Sequence, residues 1–114
     1  MDDSISEKIS NIQKQIENNN FTISRINRMQ SEMEDAHFLQ LKRIESYANS
    51  ESLSFSEIQD YLDKRNEENK AFMEINDEYE AAIRTINREN EEKEEEIREL
   101  YRQKEENEEG DKQE

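Results

Sequence analysis

Apolar side chains recur along this chain in alternating steps of four and three. From Ile5 the steps fall on Ile5, Ile9, Ile12, Ile16, Asn19, Ile23, Ile26, Gln30, Met33, His37, Gln40, Ile44 and Tyr47, and nine of these thirteen are apolar. From Ile58 they fall on Ile58, Leu62, Arg65, Asn69, Phe72, Asn76, Tyr79, Ile83, Ile86, Asn90, Lys93, Ile97 and Leu100, of which eight are apolar. A spacing of 3.5 residues keeps one stripe on one side of an α-helix, so each series predicts a coiled-coil seam about six heptads long. At about 1.5 Å per residue each helix would be on the order of 65 Å. Pro is absent and Gly110 is the single glycine, so the turns that a β-rich or α/β domain needs every dozen residues or so have no punctuation.

The two seams are separated by Ala48-Asn49-Ser50-Glu51-Ser52-Leu53-Ser54-Phe55-Ser56, rich in side chains that compete for backbone hydrogen bonds and favour caps. Ser54 followed three residues later by Glu57 spells a capping box, and Leu53 with Ile58 a hydrophobic staple. Ser4 and Glu7 repeat the box at the chain start. The expectation is an all-α fold, a long antiparallel two-helix hairpin with helices over about 4–48 and 55–104, a turn over about 49–54 and an acidic disordered tail over 105–114. A register in which paired numbers sum to 102 sets Ile44 against Ile58, Ile23 against Tyr79, Ile16 against Ile86 and Ile5 against Ile97. It pairs no Asn with Asn, and it sets His37 against Arg65.

One narrow stripe suffices to zip two helices together, and near the turn there is more than that. Met29, Ala36, Leu41 and Ala48 flank the first seam, with Phe38 and Leu39 further round, and Tyr61, Met73, Ile75 and Ala82 flank the second. Toward the termini the flanks become Lys8, Gln13, Gln15, Glu89, Glu94 and Glu96. The widened face implies a second surface to bury. Met29, Phe38, Leu41, Tyr61, Phe72, Met73 and Ile75 are the candidate partner-binding residues, and the hairpin is expected to form part of a larger helical bundle.

Charge and composition narrow the chemistry. The 114 residues carry 16 Lys and Arg against 31 Asp and Glu, a formal charge of −15, which disfavours nucleic acid and anionic membrane. There is no Cys, hence neither disulfide nor thiolate site. No apolar run approaches the roughly 18 residues that span a bilayer, and Met1-Asp2-Asp3-Ser4 lacks a basic-then-apolar leader. The expected location is cytoplasmic when made, with any export proceeding without a cleaved signal peptide. Glu34-Asp35-Ala36-His37 matches Glu-x-x-His, but a di-iron site needs a second such motif and His37 is the single histidine. No Ser-His-Asp set, glycine-rich phosphate loop or calcium loop is present. The expectation is therefore a non-enzymatic protein with no catalytic residues, metal or cofactor.

An acidic, cysteine-free helical hairpin of about a hundred residues resembles the small partner proteins of type VII (ESX) secretion, including the accessory proteins of LXG-domain toxins. The turn has neither the Trp nor the Gly of the Trp-Xaa-Gly members. Tyr101-Arg102-Gln103-Lys104-Glu105 matches the Tyr-x-x-x-Asp/Glu export signal of those systems, with Tyr101 and Glu105 as its two fixed positions. The resemblance implies a toxin targeting factor or chaperone that packs against an LXG-type toxin's helical N-terminal region or a sister hairpin. The rival expectation is a self-associating structural coiled coil, a homodimeric scaffold or tether.

Overall fold

In the computed structural model, which describes residues 3–50 and 52–113, two α-helices account for nearly every described residue, α1 over Asp3–Ser50 and α2 over Phe55–Gln113. The fold is all-α, a helical hairpin, with no strand among the described residues. The helix start after the turn is where the capping box puts it: Ser54 Oγ accepts from the backbone N–H of Glu57 at 3.3 Å, and Glu57 Oε1 accepts from the backbone N–H of Ser54 at 3.2 Å. Two donors that the helix itself leaves orphaned are thereby satisfied. The other box does not form as read, because α1 already includes Asp3 and Ser4 lies inside the helix.

Contacts divide the chain into two units, one from residues up to Ser24 together with Ile83 onward, the other Arg25–Ala82. In the terminal unit Ile9 and Ile12 are buried, 5% and 8% exposed, and so is Asn90, at 8%. In the turn-proximal unit no described side chain reaches that degree of burial.

The helices are antiparallel, but not in the register that sums to 102. Asn19 Nδ2 donates to Asn90 Oδ1 at 2.9 Å, Asn90 Nδ2 donates to Asn20 Oδ1 at 3.0 Å, and Lys104 Nζ reaches Ser6 Oγ at 3.4 Å. In the turn-proximal unit His37 stacks on Phe72, ring centroids 4.2 Å apart and planes 11° from parallel. Asn19 with Asn90 and His37 with Phe72 each sum to 109, one heptad from the expected value. The physical reason lies in the polar residues. A slip of seven residues keeps seam positions facing seam positions everywhere but at Ile5 and Ile58, replacing Ile16–Ile86 and Ile5–Ile97 with Ile23–Ile86 and Ile12–Ile97. It also replaces Asn19 against Ile83 and Asn90 against Ile12 with one matched amide layer. Leaving a buried amide unpaired costs roughly 1–3 kcal/mol, so amide pairing decides between two nearly equivalent apolar fits.

Nearer the turn the seams also rotate. Leu41 and Ala48 are half-buried where Gln40 and Tyr47 are exposed, and on α2 Tyr61 and Glu68 are half-buried where Ile58 and Arg65 are exposed. Steps of 4, 4 and 3 from Met33 through His37 and Leu41 to the half-buried Ile44 replace the regular alternation, a local departure from the heptad. Phe55, 78% exposed, and Ile58 are left without seam partners at the α2 start. The other end runs further than expected. Helix α2 continues to Gln113 in place of a tail beginning at 105; Glu114 lies outside the described residues. Arg102 pairs with Glu99 one way and Glu106 the other, and Arg98 with Glu95, and such i,i+3 and i,i+4 pairs support an exposed helix.

Candidate functional site

The candidate partner-binding residues all belong to the turn-proximal unit. Met29, Phe38, Met73 and Ile75 are exposed, whereas Leu41, Tyr61 and Phe72 are half-buried. Phe72 is held in the helix pairing by its stack on His37, and Leu41 takes a seam position.

The set splits between two flanks. Successive helical residues are about 100° apart, so residues two apart lie on opposite sides. Ala36 and Ile75 line one opening together with Met33, His37, Gln40, Glu68, Ala71 and Phe72, about 340 Å³ in volume. Phe38 and Met73, each two residues from a member of that lining, face the other way. Gln40 also borders an opening with Ile44, Lys64, Glu67, Glu68 and Ala71, and another with Arg43, Ile44, Tyr47, Tyr61 and Lys64. Sharing Gln40, the three form one groove from Met33 to Tyr47, fourteen residues of α1 or about 21 Å. The steps Met29, Met33, Ala36, Gln40 continue its wall to Met29. On the other flank Lys42 Nζ sits 4.6 Å from the centroid of the Phe38 ring, a cation–π cover that leaves the ring accessible from the far side.

The groove wall is polar where it meets the seam. His37 Nδ1 lies 3.2 Å from Glu68 Oε1, with the imidazole only 14% exposed. The imidazole donates to the Glu68 carboxylate when Nδ1 carries the proton. Two turns further from the bend Gln30 Nε2 donates to Asn76 Oδ1 at 2.8 Å. No buried side-chain N or O atom lacks a partner among the described residues. Glu34, the other half of the Glu-x-x-His motif, is exposed and does not join this cluster. Among the described residues no group of three or more His, Asp or Glu is placed to hold a metal ion.

Tyr101 and Glu105 are both exposed, one helical turn apart on α2, within a helix that continues past them. No described helix is long and apolar enough to cross a membrane. What sequence reasoning missed is the amide layer Asn19, Asn20 and Asn90. Its signal is two seam asparagines whose numbers sum to 109, which only one of the two registers joins.

The fold and the groove define a class, an antiparallel helical hairpin with amide layers in its seam and an open apolar flank near the bend. No family model, curated protein or solved structure matches the chain.

Proposed function

We propose that this protein is a non-enzymatic helical adaptor that packs against another helical protein through its turn-proximal unit. One observation carries the reading: residues 25–82 contain no buried described side chain, yet expose Met29, Phe38, Leu39, Met73 and Ile75. A pair of helices brings only one stripe of each together, and side chains on both flanks call for further helices. The partner then contributes a helix to each flank, and the apolar side chains are covered in the composite bundle. The type VII resemblance supplies the kind of partner, the helical N-terminal region of an LXG-type toxin. It also supplies a role, chaperone or targeting factor, in which Tyr101 and Glu105 are read by the export machinery.

The test is co-expression with such a toxin region. The two chains should co-purify, and the hairpin's thermal midpoint should rise, since a ligand at a hundred times its Kd stabilises by about 2.7 kcal/mol. Phe38→Asp combined with Met73→Asp should abolish co-purification while leaving helicity intact. Unchanged binding by that variant, or no rise in the midpoint, overturns the reading. A stable homodimer with no affinity for the toxin region selects the structural coiled coil.

A further inference from the structure

The groove is charged as well as apolar, and the charge is graded along it. At its turn end the lining includes Arg43 and Lys64; toward its middle it includes Glu67 and Glu68. One turn along from its Ala36 and Ile75 end stand the exposed Glu32 and Glu78. Among the described residues, none of Arg43, Glu32, Glu67 or Glu78 is taken up in an ion pair within the chain. Its floor is low because Ala36 and Ala71 are small, which lets a third helix approach to the 8–10 Å typical of packed helices.

From this we infer that the groove takes one amphipathic helix of another chain, about four turns long, acidic over its first turn and basic over its last. Acidic side chains over Arg43 and Lys64, and basic ones over Glu68, Glu32 and Glu78, match the gradient. The same order suits the helix dipole, which favours carboxylates at the N-terminus and cations at the C-terminus. The guest helix therefore enters with its N-terminus at the bend and runs parallel to α2. A second copy of this chain is the weaker fit. Residues 55–113 alone carry 10 basic against 21 acidic side chains, and a large net charge of one sign keeps copies apart.

The inference deepens the adaptor reading and rests on it for the existence of a helical guest. Its test uses the full chain and a synthetic helical peptide of about 16 residues with Leu at alternating three and four spacing, Glu in the first turn and Lys in the last. Methionine methyl resonances report the site, because Met33 lines the groove and Met73 lies on the opposite flank. Binding should shift Met33 and leave Met73 in place, and a nitroxide on the peptide C-terminus should broaden Met29 and Met33 more than one on its N-terminus. Lys64→Glu should weaken binding about tenfold, and a peptide with Lys in its first turn should recover that loss. Equal binding by a peptide of the same composition without the Leu stripe overturns the inference, as does an unchanged affinity in Lys64→Glu. So does a free protein that sediments as a dimer dispersed by Lys64→Glu, which would make the guest a second copy. A peptide that shifts Met73 instead overturns this groove while leaving the adaptor reading standing; failure of the toxin region to co-purify removes the adaptor reading itself.

Discussion

The terminal unit and the turn-proximal unit are built from the same two helices and differ in how far they finish their own packing. In the first, a narrow stripe with Gln, Lys and Glu on its flanks closes over Ile9 and Ile12 and buries Asn90 with its amide partners. In the second, a wider stripe with Met, Phe, Leu and Ile on its flanks buries nothing to that degree. Adding apolar residues to a helix pair does not deepen its core, because the extra side chains stand to either side of the line of contact. Width beyond the seam is surface until another helix arrives.

The sharpest way to break this comparison is one substitution in each unit. Ile12→Ala should cost about 2–4 kcal/mol in urea unfolding, the range for removing a buried aliphatic side chain. Phe38→Ala, although it removes the larger group, should cost under about 0.5 kcal/mol, as expected for an exposed position. Similar losses at the two sites would mean that the turn-proximal unit is closed in the free chain and that its exposed side chains need no partner.

The next effect concerns what chooses the register. Asn90→Leu alone leaves the half-buried Asn19 only its 3.4 Å contact with Glu89 and returns the exposed Asn20 to water, and it should cost about 1 kcal/mol. Asn19→Leu with Asn90→Leu should recover that loss but cease to distinguish two pairings a heptad apart. The absence of native Cys makes the readout clean. With native asparagines, Ile23→Cys with Ile86→Cys should oxidise to a disulfide, whereas Ile16→Cys with Ile86→Cys should not. In the double-Leu background both pairs should oxidise. Oxidation of the Ile23 pair alone in that background would show that apolar fit, not amide pairing, sets the register.

The same residues show how much could be read without coordinates. Hydrophobic stepping locates both helices, and Ser54 with Glu57 marks the α2 start, because period and cap chemistry are local properties of the chain. Axial register is not local. Ile after Ile at one spacing looks the same after a slip of seven, and only long-range partners such as Asn19 with Asn90 remove the degeneracy. The rotation at Leu41 and Tyr61 escapes for a related reason: Gln40 and Leu41 are adjacent candidates for one seam position, and the facing helix decides between them. The end of α2 is a third case. A run of Glu reads as a tail by net charge, but Arg98 and Arg102 are spaced to pair within the helix. The proposed guest of the apolar flanks would be written in another chain, so the sequence shows only the flanks themselves.

The smallest effect tests whether the bend is fixed by its cap. Ser54→Ala removes the acceptor for the Glu57 N–H and should cost about 1 kcal/mol. The carboxyl of Glu57 is held below its ordinary range, chiefly by the hydrogen bond from the Ser54 backbone N–H and next by one from the Ser54 hydroxyl. A carboxylate with a depressed pKa in the folded state binds its proton more readily when unfolded. Its contribution is therefore present above the ordinary carboxylate range and is lost as pH falls through the lowered value. Glu57→Gln, which cannot titrate, should flatten that part of the midpoint-against-pH curve relative to the native chain. Because Glu57 is only half-buried and solvent screens its carboxylate, the difference should be small and should shrink further in salt. Parallel curves for the two proteins would show that the interaction holding Glu57 to Ser54 does not outlast solvent competition, and that the bend is set by where the seams end, not by its cap.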